Sequence, residues 1–205
     1  MVDPETLGLR ARKKLDTRRA LSDAALELTF ERGLQNVTRD DIAARAGVSL
    51  RTFNNYFTGK HEALAYRQLE RARLGIAAFG ERPTDEPLWA AIAEAVIEPL
   101  EAEGAAERVP TPAELAEVRN LLLVPEIRMA ISKDVLADWV DAIAERTGTD
   151  PIHDMYPRLA AAVVRAVGEA AIDAYAMADP PVSITSLLRH GFAAVAAGLP
   201  EPRHR

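Results

Sequence analysis

Apolar residues recur three and four positions apart along most of this chain, which is the spacing of amphipathic helices. The first run spans about Asp16–Arg32 and ends at Gly33. Two short runs follow, at 38–46 and 49–57, and then a long one at 60–79. The pattern therefore predicts four helices in the first 80 residues. The buried stripe of the first should be Leu21, Ala24, Ala25 and Leu28.

Five further helical runs lie beyond Gly80. Pro87 suits a first helical turn, and Pro99 is predicted to disrupt the helix that it opens. Thr111-Pro112-Ala113-Glu114 predicts a second capping box, on a helix that should end near Pro125. The last three runs end near Arg146, Met177 and Gly198. The whole chain is therefore predicted to be all-α, with about nine helices.

The segment 38–57 predicts two short helices joined by a tight turn. Thr38 is a good N-cap, and Asp41 stands three residues on, as in an approximate capping box. Gly47 can take a positive φ at the end of the first helix, and Ser49 can cap the second. Phe53 and Phe57 lie four residues apart on one inward face. This layout is that of a helix-turn-helix, which places its second helix in the DNA major groove.

The other faces of the second helix carry groups able to contact DNA. We expect Arg51 and Asn55, then Asn54, to bond base edges, because Arg suits guanine and Asn suits adenine. Phosphate contacts are expected from five further side chains, those of Thr38, Thr52, Tyr56, Lys60 and Arg19. The candidate DNA-binding residues are Arg19, Thr38, Ser49, Leu50, Arg51, Thr52, Asn54, Asn55, Tyr56 and Lys60. A plain helical hairpin remains the alternative for this segment.

Charge is distributed unevenly along the 205 residues. The net charge is −6, but residues 1–80 hold 14 Lys+Arg against 10 Asp+Glu, whereas residues 81–205 hold 11 against 21. A basic start and an acidic remainder fit phosphate contact at one end. Residues 1–14 are predicted to form a flexible basic arm that follows the phosphate backbone or enters the minor groove; a solvated tail is the alternative. Its cations are Arg10, Arg12, Lys13 and Lys14, with Arg18 and Arg19 just inside the first helix.

Several kinds of chemistry have no residues to support them. The chain has no cysteine, and its histidines, among them His153 and His190, show no metal-ligand spacing. No Gly-rich phosphate loop or nucleophile elbow occurs, so we expect neither an enzyme nor a cofactor. No apolar run approaches a membrane span and no signal peptide opens the chain, so we expect a cytoplasmic protein that makes no membrane contact.

At these residues the chain resembles the TetR family of bacterial transcriptional regulators. The matching elements are Thr38, Ile42-Ala43, Ala46-Gly47-Val48-Ser49, Phe53, Tyr56-Phe57 and Lys60, within a strong match over roughly Leu15–Leu64. Two positions depart from the family pattern: Arg51 stands where Gly is frequent, and Asn54 where Tyr is frequent. Both are on the expected DNA face, so no operator sequence can be transferred from the family.

The resemblance implies a ligand pocket within residues 81–205. Bulky apolar walls with an occasional Arg would suit an amphipathic or anionic apolar effector, and acyl-chain thioesters are one possibility. Each candidate also fits an ordinary core position. The candidate lining residues are Trp89, Arg119, Leu122, Met129, Trp139, Tyr175 and Phe192.

The last two helices are the predicted dimer interface. The first of them has a wide apolar surface that is rich in small residues, and Gly168 lies in its middle, where close approach of another helix would justify it. Two helices from each subunit could form a four-helix bundle about a two-fold axis, the dimer that the resemblance also implies. Both helices could instead be monomer core.

The sequence thus predicts a DNA-binding helix-turn-helix domain with a basic N-terminal arm at 1–60 and a ligand-binding and dimerisation domain at 61–205. We expect a homodimeric transcriptional regulator of double-stranded operator DNA, a repressor released by a small, largely apolar effector. One alternative is an architectural or accessory DNA-binding protein without small-molecule control. Another is a small all-α enzyme that has kept the hairpin.

Overall fold

The computed structural model describes residues 8–104, 109–122, 124 and 134–201, with the side chains of Leu122 and Asp134 outside the description. Over these residues the chain forms α-helices and one 3-10 turn and contains no strand, which confirms the all-α prediction. The helices are α1 (Leu9–Arg32), α2 (Arg39–Arg45), α3 (Leu50–Tyr56), α4 (Lys60–Glu81), α5 (Leu88–Ala102), α6 (Pro112–Leu122), α7 (Asp134–Thr147), α8 (Met155–Met177) and α9 (Ile184–Ala196), with the 3-10 turn at Leu34–Asn36. None of the described helices is both long and apolar enough to cross a membrane.

The first helix begins earlier than its apolar pattern predicts. α1 starts at Leu9 rather than near Asp16, about two turns sooner, so Arg10, Lys13 and Lys14 lie on a helix and not in a flexible arm. Neither Gly nor Pro interrupts residues 9–32, and Arg, Lys, Leu and Ala are all good helix formers. The predicted flexible arm is therefore wrong for residues 9–14, because charged residues favour a solvated helix as readily as a solvated tail. Residues 1–7 of the predicted arm lie outside the described residues.

The chain divides into two compact units. The first comprises the described residues of Met1–Glu70 and Ala116–Ile131, and the second those of Arg71–Leu115 and Ser132–Arg205. The division falls within α4, which contributes to both units, and α6 belongs mostly to the first. The domain boundary at residue 60 stays a prediction.

An aromatic cluster closes the core of the first unit. Phe53 of α3 is fully buried, and its ring centroid lies 5.9 Å from that of Phe57. Phe57 in turn meets Tyr66 of α4 edge-on at 5.8 Å. Because Phe53 and Phe57 share one face of α3, this cluster fixes which face of that short helix remains outside. The other large buried side chains here are Leu21, Leu28, Leu34, Ile42 and Leu64.

The second unit is a bundle in which α9 packs against α5 and α8, and α7 packs against α8. Trp139 of α7 lies on Phe79, with ring centroids 5.4 Å apart. Arg146 donates to the main-chain oxygens of Arg82, Pro83 and Glu86 and thereby holds the turn between α4 and α5. Its guanidinium also lies over the Phe79 ring.

Pro99 does not end α5, contrary to expectation. The helix continues to Ala102 with Pro99 buried inside it. Proline has no N–H to offer the carbonyl four residues before it, which is that of Ala95. Gly75 of α4 lies against this carbonyl: a Cβ built on Gly75 would stand 2.9 Å from the Ala95 oxygen. Because Gly75 has no side chain, α4 can pack closely against α5 at the point where Pro99 removes one backbone hydrogen bond of α5.

Candidate DNA-binding surface

The N-terminus of α2 carries the capping box that the sequence predicts. The Thr38 side chain accepts from the Asp41 main-chain N–H at 3.2 Å, and the Asp41 carboxylate accepts from the Thr38 N–H at 3.0 Å. The Thr38 hydroxyl also donates to that carboxylate. These hydrogen bonds hold the pKa of Asp41 below its ordinary value. Thr38 is exposed, so the residue predicted to meet phosphate is fixed at the surface by its own cap.

The turn between α2 and α3 also follows the predicted chemistry. Gly47 has φ +69°, in the left-handed region that glycine tolerates. Ser49 caps α3 by accepting from the Thr52 N–H at 3.1 Å, and the two hydroxyls lie 2.9 Å apart. Ser49 and Thr52 therefore orient one another before any ligand arrives.

Three polar side chains stand exposed on α3: Arg51, Asn54 and Asn55. Within the described part of the chain, neither Arg51 nor Asn55 has a side-chain hydrogen bond or ion pair. Leu50 and Tyr56 are half-buried, and Tyr56 packs against the core of the first unit. The Arg51 guanidinium and the Asn55 amide, which are expected to read bases, therefore remain available to bind DNA.

Asn54 is held by a residue that the sequence analysis did not single out. Arg39, the first residue of α2, donates from Nη1 to the Asn54 side-chain oxygen at 3.4 Å. The sequence did hold a signal. A cation in the first turn of a helix is disfavoured by the helix dipole. Because Arg39 is neither a core residue nor the cap, its presence there indicates a contact with another element.

Lys60 has a structural task beside its predicted phosphate contact. Its ammonium donates to the main-chain oxygens of Leu34 and Val37 at 2.8 and 3.0 Å. These bonds tie the start of α4 to the segment that leads into α2. Because an ammonium has three N–H groups, one remains for a phosphate, and that contact stays a prediction.

Arg19 is on α1 and contacts α4 at a point far from Lys60, which begins that helix. Its guanidinium bonds the Glu70 carboxylate at 2.5 Å, which raises the pKa of Arg19. Ser22 of α1 donates to the Ala63 main-chain oxygen at 2.6 Å, so α1 and α4 run antiparallel. Glu70 is ten residues past Lys60, or about 15 Å along the helix. The phosphate contacts predicted for Arg19 and Lys60 therefore belong to separate parts of the first unit.

Arg18 points inward instead of joining the basic cluster. Its guanidinium carbon lies 5.3 Å from the Phe57 ring centroid and 4.8 Å from that of Tyr66. Its Nε is buried with no hydrogen-bond partner among the described atoms. Arg18 is thus a cation over two aromatic rings that support α3 from behind. Arg18 therefore differs from Lys13, Lys14 and Arg19 on the same helix, which are exposed.

The candidate ligand-binding residues are not gathered by the described structure. Trp89, Trp139, Tyr175 and Phe192 lie in the second unit, whereas Arg119 is exposed on α6 in the first. Trp139 and Phe192 are buried and pack as core. Met129 and the side chain of Leu122 lie outside the described residues. The predicted pocket stays a prediction.

A second surface of interest lies on α8 and the residues that precede it. Large apolar side chains are exposed there, with Ile152 at 70%, Met155 at 73% and Met177 at 75%. Tyr156 and Leu159 are also about half exposed. A Cβ built on Gly168 meets nothing within 4 Å. The close helix crossing instead involves Gly191 of α9, where a Cβ would meet Val167 of α8 at 2.8 Å.

A capped two-helix motif whose second helix presents a polar face defines a DNA-binding protein of the helix-turn-helix class. Comparison with known proteins agrees. Residues 21–65 match the bacterial regulatory proteins of the tetR family, and residues 86–200 match the MftR C-terminal domain. The chain belongs to the TetR family of transcriptional regulators.

Individual relatives are similar over most of their length. The transcriptional regulator TcmR of Streptomyces glaucescens is 32% identical over 80% of this chain and 75% of its own. MftR of Mycobacterium tuberculosis is 27% identical over 92% of this chain and 93% of its own. Among solved structures, FadR of Thermus thermophilus, a repressor in complex with lauroyl-CoA, superposes with a TM-score of 0.56 at 19% identity, covering 91% of this chain and 97% of FadR. That likeness supports the fold.

Proposed function

We propose that this regulator is a homodimeric repressor whose α3 helices read two half-sites of an operator, and whose release is triggered by a small, largely apolar effector. The observation that carries the proposal is the outward face of α3. Arg51 and Asn55 stand exposed with no protein partner in the described structure, on a helix fixed from behind by Phe53 and Phe57. Base reading requires hydrogen-bonding groups that are exposed, that have no protein partner and that a well-packed helix holds in place.

The principal residues of the surface divide in this proposal into those that meet base edges and those that meet phosphates. Arg51 and Asn55 bond base edges, with Asn54 beside them. Thr38, Thr52 and the third N–H of Lys60 meet phosphates and set the register of the helix. The remaining members of the proposed surface are Arg19, Ser49, Leu50 and Tyr56.

Dimerisation is proposed to occur through α8 and α9. Apolar residues recur at three- and four-residue spacing along one side of α8 and its approach: Ile152, Tyr156, Leu159, Val163, Ala166 and Ala170. Met177 continues this side seven residues on, past the exposed Asp173. The exposed large side chains of this stripe would be buried against the same stripe of a second copy, as a two-fold interface requires. Gly168 is two positions from both Ala166 and Ala170, so it lies off this stripe, and its part in the interface stays a prediction.

The effector is proposed to bind in the second unit, in the domain that the sequence analysis placed at 61–205. The chemical class proposed is an amphipathic molecule such as an acyl-chain thioester. A fold relative, FadR of Thermus thermophilus, was solved with lauroyl-CoA, which makes that compound a reasonable first probe. The effector would act only through unequal affinity for two conformers of the dimer. α4 is the proposed link, since it contributes residues to both units.

The test is a mobility-shift titration on the DNA upstream of the protein's own coding region. Specific binding should resist excess unrelated DNA, and lauroyl-CoA should be the first compound tested for release of the complex. Release requires that the compound lower operator affinity without unfolding the protein, which circular dichroism checks. If specific binding is found and no amphipathic compound weakens it, the accessory DNA-binding protein without small-molecule control becomes the better account. No preference for any sequence would overturn the regulator proposal itself.

A further inference from the structure

Arg39 is the one cation of the helix-turn-helix motif, among the described residues, that touches a side chain of the α3 outer face. Its Nη1 lies 3.4 Å from the Asn54 oxygen, and fifteen positions separate the two residues in the sequence. Both are exposed. The contact joins the first turn of α2 to the middle of α3, on the side of the motif that the proposed function directs toward DNA.

The chemistry of the pair fixes the orientation of the amide. A guanidinium has five N–H donors and no acceptor, so an Asn that faces it must present its oxygen. The Asn54 NH2 group is then turned away from Arg39. Reading adenine in the usual way requires the oxygen and the nitrogen of one Asn together on the base edge. An Asn whose oxygen is already held offers chiefly its two N–H donors.

Asp40 and Asp41, the two acids in the first turn of α2, do not bind this guanidinium among the described contacts. Asp40 is the adjacent residue, and neighbouring side chains on a helix do not face each other. The Asp41 carboxylate is bound by Thr38 and lies 3.5 Å from Arg32. Asp41 is also two positions from Arg39, a spacing that does not bring side chains together on a helix. A cation in the first turn of α2 is disfavoured by the helix dipole. The contact with Asn54 gives Arg39 a hydrogen-bond partner at this position.

We propose that Arg39 is a specificity-determining residue, which holds the Asn54 oxygen so that the amide NH2 faces the groove and selects a base edge offering acceptors. Guanine, with N7 and O6, and thymine, with O4, present such edges in the major groove. The proposal rests on the proposed function, because it assumes that α3 lies in that groove. Arg39 acts through Asn54 and is a positioning residue for base reading.

The test is selection of binding sites from a random duplex library by the full-length protein and four variants. They are Arg39→Ala, Asn54→Ala, the double variant, and Arg165→Ala on α8 as a control that removes one positive charge outside the motif. The position read by Asn54 is the one whose base preference disappears in Asn54→Ala. Wild type should prefer guanine or thymine there. Arg39→Ala should change that preference by about tenfold, toward adenine, and leave other positions alone.

The double variant separates positioning from direct contact. If Arg39 acts through Asn54, removing Arg39 in the Asn54→Ala background should change no preference further. A shift of preference in that background would show that Arg39 reads a base itself and would overturn the proposal. Equal weakening on all sequences by Arg39→Ala, with preferences intact, would also overturn it. A wild-type protein that selects no sequence would instead reject the proposed function on which the inference rests.

Discussion

α3 and α8 both expose side chains to solvent in the single chain, but the groups they expose differ in kind. The outer face of α3 exposes a guanidinium and two amides, whereas the outer face of α8 exposes Leu159, Met177 and their apolar neighbours. An exposed hydrogen-bonding face is already satisfied by water. It gains from DNA only where base edges and phosphates replace that water with matching geometry. An exposed apolar stripe gains by leaving water altogether.

The comparison therefore separates two kinds of partner. The polar face demands a partner with fixed donors and acceptors, and a misplaced group costs specificity. The apolar face demands area and close approach, for which a second copy of the same face suffices. Each unit should consequently respond to mutation in its own way, and the predictions below run from the largest expected effect to the smallest.

Removing the aromatic support of α3 should damage the first unit most. Phe53→Ala empties a fully buried site and should lower the free energy of unfolding by about 3–5 kcal/mol. DNA binding should be lost in mobility-shift assays, while light scattering still shows the dimer. Phe192→Ala is the matched variant in the second unit, where the same loss of volume should reduce self-association first. If Phe53→Ala also made the protein monomeric, the two faces would not belong to separable units.

Charging the apolar stripe should separate the subunits. Leu159→Arg places a cation where two copies of α8 are proposed to meet, and burial of an unpaired charge is strongly unfavourable. Light scattering should find a monomer, and affinity for a two-half-site operator should fall by about a hundredfold, because one half-site would then bind alone. Glu169→Gln, on the polar side of the same helix, makes an equal change in charge and should leave the dimer intact. A dimeric Leu159→Arg would mean that the interface lies elsewhere.

Lys60 should contribute twice to the first unit, and the two contributions can be measured apart. Lys60→Ala removes two charge-assisted hydrogen bonds to main-chain oxygens, and we expect a loss of about 1–3 kcal/mol in urea unfolding. A phosphate contact by the third N–H would make the salt slope of DNA binding shallower by about one. Arg165→Ala on α8 serves as the control, because it removes one positive charge outside the motif. Unchanged stability contradicts the main-chain contacts, and an unchanged slope contradicts the phosphate contact.

The smallest expected effect concerns acid. Because Thr38 holds the pKa of Asp41 below its ordinary value, the folded state binds this proton more weakly than the unfolded state does. The resulting stability is present above about pH 4 and is lost as the pH falls through the lowered pKa. Asp41→Asn should therefore flatten the decline of unfolding free energy on acidification. Asp40→Asn is the neighbouring control, and equal curves for the two variants would contradict the role of the cap.

Local features of the motif followed directly from the sequence. The caps at Thr38 and Ser49, the left-handed Gly47 and the inward aromatic pair each depend on residues within a few positions, where spacing alone determines geometry. The helices of the described residues could be predicted for the same reason. The continuation of α5 past Pro99 could not be predicted in this way, because it depends on the close packing of Gly75 from another helix.

The contacts that organise the site are long-range and leave no periodic trace. Lys60 reaches oxygens 26 and 23 positions away, and Arg39 meets Asn54 fifteen positions on. Arg18 stands among surface cations in the sequence, but its guanidinium lies over the rings of Phe57 and Tyr66. Side-chain identity gives charge and reach, but only the packed fold decides which of several neighbours a long side chain meets.

The most direct test of the central claim is a comparison of the binding sites selected by wild type and by Arg51→Ala from a random duplex library. The account predicts that wild type selects two inverted half-sites in successive major grooves. Arg51→Ala should lose preference at one base pair in each half-site, at a cost of about 1–3 kcal/mol, and keep the rest. If Arg51→Ala instead weakened binding equally on every sequence, with the selected site unchanged, α3 would not be the base-reading helix and the account would be wrong.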